Sequence, residues 1–405
     1  MHPKFYSKEV HFLKTDSDLT ITPPDHFFCD LISSRTGSLT RLKNRLEQKE
    51  IPGDRFLCAT MELASDIPDP DREKVKTTFE NTFNLVLDNE RGIWESLGDL
   101  SFIMAFWDYE NTQKASELVV SLKEKMSGAL KSSILVGVAR FPFHDFTRSQ
   151  TVDNALKAID HAAFFGPDTL IHFDGVSLNI SGDRFYQTHQ FEMARADYLK
   201  GLEIKPNDIN LINSLGVCYG VAGELENART EFERALKLNA KEVMVIYNLG
   251  LIHRIEEDLD KAILYLRKAR AINDRIFEVE LLLGHLLFLK DLHEQALPHL
   301  ETAIQIDDTS AAAFRLKGEI LLSDRQPEDA AKAFNRAIKI NPSDATSLSG
   351  YAKCLETQNK NLSIALSFAR NSIALEPDNA LFLQRLNTIR EKIDGLEPPE
   401  QIKTA

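Results

Sequence analysis

The chain has 405 residues, a formal net charge of −13 and four cysteines. This length allows two or three domains with a sizeable buried core. Neither half of the chain is basic, which argues against nucleic acid or anionic lipid as the main partner. The cysteines are scattered without metal-ligand spacing, and we expect buried free thiols in a reducing cytosol.

The N-terminal sequence lacks the features of a targeting or membrane segment. Met1–Phe5 leads into no apolar h-region, and no run approaches about 18 apolar residues. We therefore expect a cytoplasmic protein that makes no membrane contact. Residues 1–34, which include Thr22-Pro23-Pro24-Asp25, are predicted to be an arm or linker with little structure of its own.

Residues 35–174 alternate between strand and helix patterns. The predicted elements are, in order, a helix (39–50), a strand (56–63), a helix (69–88), two strands of a hairpin (92–107), a helix (112–130), a strand (132–140), a helix (152–165) and a strand (169–173). This order is β-α-β-β-α-β with an added α-β unit. It predicts a ferredoxin-like α/β domain.

Three short sequences in this domain resemble motifs of one family. Ser38-Leu39-Thr40-Arg41-Leu42-Lys43-Asn44-Arg45 resembles the DxLTGLxNR motif of the GGDEF family, the bacterial diguanylate cyclases. Leu135-Val136-Gly137-Val138-Ala139 resembles its SIGVA strand, and residues 158–170 resemble its ALYxAKxxGRNxV tail. The resemblance implies a nucleotidyl-cyclase fold, possible pairing of two subunits, and a residual cyclase site at Glu62, Gly98 and Asp99.

The same comparison implies that this site is not catalytic. Cyclase chemistry needs metal-binding carboxylates, a glycine hairpin close to the nucleotide and a cation on the phosphates. Leu97 replaces the leading glycine, Leu100 replaces the acidic residue, and Ala163 replaces the phosphate-binding lysine. Asp99 is either a turn residue or a metal ligand, and Glu62 is either a metal-site remnant or a solvated edge carboxylate. Gly98-Asp99 followed by residues 100–106 also resembles the class III adenylyl cyclases.

Residues 175–379 repeat with a fixed period. A glycine and an alanine each recur every 34 residues. The positions are Gly182, Gly216, Gly250, Gly284 and Gly318, and Ala194, Ala228, Ala262, Ala296 and Ala330. Small residues at these places let two helices approach closely, and this period resembles that of tetratricopeptide (TPR) helix–turn–helix arrays. The resemblance predicts six repeats followed by a cap helix and tail. Their limits are 175–208, 209–242, 243–276, 277–310, 311–344, 345–379 and, for the cap and tail, 380–405.

TPR arrays line their concave groove with the first helix of each repeat, and this resemblance gives candidate peptide-binding residues. They are Asn179, Asp183, Tyr186, Asn210, Asn213, Val217, Tyr247, Leu251, Arg254, Leu281, His285, Phe288, Arg315 and Glu319. Their composition suits an extended or helical peptide with apolar anchors, although some members can instead pack against the next repeat. The carboxylate clamp of TPR chaperone adaptors is absent, since its places hold Asn179, Asp183, Ser214, Met244 and Asn248.

The sequence thus predicts a non-catalytic bacterial signalling scaffold or adaptor without metal or cofactor. The TPR groove binds a protein partner, and the GGDEF-like domain is a regulatory module or forms a homodimer. Three alternatives remain: a GTP or cyclic di-GMP sensor, a weak divergent cyclase that uses Glu62 and Asp99, and an assembly factor whose N-terminal domain is a passive cap. His253, His293 and His299 are expected to be structural or surface residues.

Overall fold

A computed structural model describes residues 11–13, 26–34, 37–49, 51, 56–64, 69–86, 91–107 and 112–395. Contacts divide the chain into two compact units. We call residues 14–238 the α/β unit, and residues 239–405 together with 1–13 the helical unit. The division falls inside the series of repeats, so the limits 35–174 and 175–379 stay predictions of domain organisation.

The α/β unit contains one five-stranded mixed sheet. Its strands are β1 (Phe56–Leu63), β2 (Gly92–Ser96), β3 (Ser101–Trp107), β4 (Ile134–Phe141) and β5 (Leu170–His172). Their spatial order is β2-β3-β1-β4-β5, with only the β4–β5 pair parallel. The elements follow one another along the chain as predicted.

Helices cover both faces of this sheet. They are α1 (Asp30–Ser34), α2 (Gly37–Gln48), α3 (Asp69–Val86), α4 (Thr112–Leu130) and α5 (Arg148–Ala163). Alternate residues of β1 enter two separate cores: Cys58 belongs to the core with α2 and α5, whereas Met61 belongs to the core with α3 and α4. Because both faces of β1 are buried, its sequence is a continuous apolar run rather than an alternating one.

All remaining described elements are helices, and they form the predicted pairs. In the α/β unit these are α6 (Gly175–Gln187), α7 (Phe191–Ile204), α8 (Ile209–Val221) and α9 (Leu225–Leu238). In the helical unit they are α10 (Val243–Ile255), α11 (Leu259–Ile272), α12 (Phe277–Leu289), α13 (His293–Ile306), α14 (Ala311–Ser323), α15 (Pro327–Ile340), α16 (Ala345–Thr357), α17 (Leu362–Leu375) and the cap α18 (Ala380–Asp394). No helix in the described part of the chain has the length and apolar character needed to cross a membrane.

Close helix approach explains the glycine period. A Cβ added to Gly182 would come within 2.5 Å of the Tyr198 ring, and one added to Gly318 within 2.9 Å of the Phe334 ring. Both rings are fully buried. A larger residue at either glycine would therefore force the two helices of its pair apart.

The first helix pair packs against α5 through buried polar contacts. Lys157 on α5 pairs with Asp197 on α7, and the other carboxylate oxygen of Asp197 accepts the Ser181 hydroxyl of α6 at 2.5 Å. His161 Nδ1 lies 3.1 Å from the Ser177 hydroxyl oxygen. These contacts join the sheet domain and the first repeat within one compact unit.

Residues 26–34 pack against the sheet domain and do not form a free arm. Asp160 on α5 accepts the main-chain N–H groups of Phe28 at 2.6 Å and Cys29 at 2.8 Å. Asp30 forms an ion pair with Arg184 at 2.7 Å. The rest of the predicted arm, apart from residues 11–13, lies outside the described residues.

All four cysteines are buried, and none of them forms a disulfide: Cys29, Cys58, Cys218 and Cys354. Burial raises the pKa of the Cys29 and Cys58 thiols well above its usual range, and it raises the pKa of Cys354 to about 12. Burial therefore keeps reagents away from the thiols. The raised pKa values also keep the thiolate fraction of Cys29, Cys58 and Cys354 small, and the thiolate is the reactive form.

Candidate peptide-binding groove and residual cyclase positions

In the helical unit, Asn248 on α10 binds the main chain of a distant segment. Its Oδ1 accepts the Leu13 N–H at 2.7 Å, and its Nδ2 donates to the Leu13 carbonyl at 2.6 Å. Asn248 itself is fully buried. One side-chain amide thus satisfies both main-chain groups of a single residue.

This geometry belongs to an extended backbone. In a strand, the N–H and C=O of one residue point to the same side, and a neighbouring strand bonds both. The Asn248 amide takes the place of that neighbouring strand. The flanking side chains are enclosed as well, because Phe12 is 4% exposed and Leu13 is 9% exposed, whereas His11 is exposed.

Charged side chains lie on the first helices that follow. The pKa of His285 is lowered to about 4 by burial, with the positive charges of Arg254 and Arg315 adding to the effect. Burial raises the pKa of Glu319 despite the opposing charge of Arg315. The His285 imidazole is therefore neutral at pH 7, and the positive charges of two guanidinium groups act on it.

A pocket of about 620 Å³ lies further along the helical unit. It is lined by Phe288, Glu319, Leu322, Ser323, Arg325, Pro327, Phe334, Thr346, Lys353, Thr357 and Arg385. Burial lowers the pKa of Arg385, whose guanidinium also donates to the Ser349 hydroxyl at 3.0 Å. Four of the lining side chains are apolar, three carry a hydroxyl group and four are charged.

The predicted groove residues of the helical unit fall into two sets. Tyr247, Leu251 and Leu281 are at most 1% exposed. The other five, which are partly exposed, are Arg254, His285, Phe288, Arg315 and Glu319. The buried set includes the apolar residues expected to anchor a peptide, so direct contact with a ligand is still a prediction for them.

The α/β unit shows a similar division. Asn213 and Val217 are fully buried, whereas Asn179, Asp183, Tyr186 and Asn210 are partly exposed. Asp183 accepts the hydroxyl of Tyr198 at 2.7 Å. Its carboxylate therefore stabilises the packing of the first helix pair, and peptide contact at these six residues also stays a prediction.

The residues predicted to be a residual cyclase site lie at one end of strands β1 and β3. Glu62 pairs across β1 and β3 with Ser101, and the Leu63 N–H donates to the Leu100 carbonyl at 2.9 Å. Gly98 and Asp99 are exposed at the turn between β2 and β3. Strand register thus places Asp99 near the carboxyl end of β1, where Glu62 lies.

The Glu62 carboxylate lies 2.8 Å from His26 Nε2, and both side chains line a pocket. This pocket has a volume of about 330 Å³, and its lining includes Asp160 and Ala163. Burial raises the pKa of Asp160 to about 7, although the N–H groups of Phe28 and Cys29 oppose the shift. Among the described residues, no three His, Cys, Asp or Glu side chains are grouped to hold a metal ion.

Sequence reasoning missed the contact made by Asn248. Repeat numbering puts Asn248 at a position of the carboxylate clamp, whereas its partner in the structure lies 235 positions away. The available signal is a polar amide within the largely apolar run 243–252 of helix α10, where burial without a partner would be costly.

Comparisons with known proteins address the repeats. A family model described as tetratricopeptide repeat matches residues 219–275, 281–345 and 315–379. The prediction of TPR repeats is therefore confirmed. A search of curated proteins found no match to the sequence.

Several solved structures are similar to part of this chain at low identity. YrrB, described as a TPR protein with an unusual peptide-binding site, is 20% identical, with 46% of this chain and 96% of YrrB covered and a TM-score of 0.41. PilF of Pseudomonas aeruginosa is 18% identical, with coverages of 52% and 95% and a TM-score of 0.49. PilW, a type IV pilus biogenesis factor, is 15% identical, with coverages of 52% and 98% and a TM-score of 0.46.

Proposed function

We propose that this protein is a non-catalytic scaffold that binds an extended segment of a protein partner in its TPR groove. The observation that supports this most directly is the pair of hydrogen bonds between Asn248 and the Leu13 main chain. Main-chain recognition supplies affinity for any extended peptide, and neighbouring side-chain sites supply selectivity. TPR repeats commonly mediate protein–protein interactions, which agrees with this role.

We infer further that the sheet domain is a degenerate GGDEF-like module of a bacterial cytoplasmic signalling protein, with a regulatory or dimerising role. The resemblance of residues 35–174 and the order of the strands support this proposal. Leu97, Leu100 and Ala163 lie where a cyclase would need a glycine, a carboxylate and a lysine. Fold alone confers no activity, so these substitutions weigh against catalysis.

A nucleotide sensor is the second candidate, and the pocket beside Glu62 and Ala163 is the observation in its favour. Such a sensor needs a cation for the phosphates. The only basic side chain that lines this pocket in the described residues is His26, which already faces Glu62. We therefore favour the scaffold over the sensor.

The groove proposal is tested by selecting phage-displayed peptides on the full chain and measuring their affinities for an Asn248→Ala variant. Loss of two main-chain hydrogen bonds should cost about 1–3 kcal/mol, which weakens binding roughly 5- to 150-fold. Asn335→Ala is the matched control, because Asn335 is exposed on the second helix α15. Equal binding to both variants would refute groove recognition through Asn248.

A further inference from the structure

We propose that residues 11–13 are an internal ligand of the groove, and that a partner must displace them with a segment of the same chemistry. This inference rests on the proposed function. Residues 11–13 are the described N-terminal residues of the helical unit, and the Leu13 main chain is held on Asn248 through its N–H and carbonyl groups. A foreign peptide would use the same two hydrogen bonds, so both ligands cannot be bound together.

The buried side chains of Phe12 and Leu13 indicate which residues a displacing partner segment should carry. Phe12 is 4% exposed and Leu13 is 9% exposed, although adjacent side chains of an extended segment point in opposite directions. The segment is therefore enclosed on two sides and does not merely rest on a surface. A displacing segment should be extended and should carry an aromatic residue followed directly by a long aliphatic residue.

Covalent connection makes the internal ligand a strong competitor. A tethered ligand acts at an effective concentration on the order of millimolar, whereas a partner in solution competes at its free concentration. If the segment occupies the groove about nine-tenths of the time, the apparent affinity for a competitor falls about tenfold. The fraction of time for which residues 11–13 occupy the groove thus sets the partner concentration that is needed for binding.

The test uses a fluorescein-labelled peptide with the sequence of residues 7–17 and fluorescence anisotropy. We expect the probe to bind a full-length Phe12→Glu/Leu13→Glu variant at least tenfold more tightly than the wild-type chain. Adding Asn248→Ala to that variant should weaken binding roughly 5- to 150-fold. His11→Ala is the matched control, because His11 is exposed beside the same segment and the variant should bind the probe like the wild type.

A second version protects the test against misfolding of the doubly substituted chain. A protease site placed between residues 17 and 18 leaves residues 11–13 and Asn248 unchanged, and cleavage followed by dialysis should raise probe affinity to the level of the variant. Equal affinity for cut, uncut and substituted chains would overturn the internal ligand but leave groove binding intact. Absence of probe binding to all of them would also overturn the internal ligand, whereas groove recognition fails only if peptides selected from the library also ignore Asn248.

Discussion

The buried contact between Lys157 and Asp197 gives a sharp test of how the sheet domain and the first repeat are held together. Both side chains are 10% exposed, and Asp197 also accepts the Ser181 hydroxyl. Lys157→Met keeps much of the apolar stem but removes the Nζ atom, which lies 6.0 Å from the centroid of the Phe185 ring. The substitution leaves the buried Asp197 carboxylate with the serine hydroxyl but without its cation.

The expected cost follows from the burial of that carboxylate. Removing one partner of a buried ion pair costs about 3–5 kcal/mol, because the remaining charge is desolvated and uncompensated. Replacing both partners by apolar residues is often nearly neutral. The double variant Lys157→Met/Asp197→Leu should therefore recover most of the loss, and its Ser181 hydroxyl still has the Leu178 carbonyl at 3.3 Å.

Hydrogen–deuterium exchange of the full chain measures the loss of stability helix by helix. The measurement does not require the two units to unfold together. Exchange in α6 and α7 should accelerate by about 10²- to 10⁴-fold in Lys157→Met and return towards the wild-type rate in the double variant. Lys200→Met is the control, because Lys200 pairs with the exposed Asp145 at 2.7 Å and exposed pairs contribute little. Equal exchange in the Lys157 and Lys200 variants would refute the reasoning.

Two further predictions concern the sheet domain. Because burial raises the pKa of Asp160 to about 7, the folded unit retains a proton that the unfolded chain loses near pH 4. Protection of the Phe28 and Cys29 amides, corrected for intrinsic exchange rates, should therefore fall as the pH rises from about 4 to 7, and Asp160→Asn should abolish this dependence; an unchanged slope would contradict it. Calorimetric titration with GTP or cyclic di-GMP and magnesium should give no heat up to millimolar concentration, since under the proposed GGDEF resemblance Leu97, Leu100 and Ala163 replace the residues that such ligands need. Binding that is lost in Asp99→Ala or Glu62→Ala would instead favour the nucleotide sensor.

The parts of the fold that the sequence predicts are those with a strong period. The glycine at 318 and its equivalents recur because each must admit a ring or leucine from the second helix of its pair. The strand 56–63 is recognisable because its two faces enter two cores, which makes the whole run apolar. In both cases packing imposes the pattern, as one continuous run in the strand and at a fixed 34-residue interval for the glycines, so the sequence alone is sufficient to find it.

The candidate site was less predictable because its determinants are distant in sequence. Leu13 and Asn248 are separated by 235 positions, and a three-residue extended segment has no period to detect. Asp160 and Phe28 are separated by 132 positions. The burial of the Asp160 carboxylate is explained only by the main-chain N–H groups that donate hydrogen bonds to it. Groove positions inferred from repeat numbering could not distinguish Tyr247, which is fully buried, from the partly exposed His285.

The burial of all four cysteines makes the chain well suited to site-specific labelling. Cys29, Cys58, Cys218 and Cys354 are shielded, and the raised pKa values of three of them keep their thiolate fraction small at neutral pH. A cysteine introduced at the exposed position of His11 would therefore react selectively with a maleimide dye. Fluorescence from that dye would follow residues 11–13 in the native chain without removal of any natural thiol.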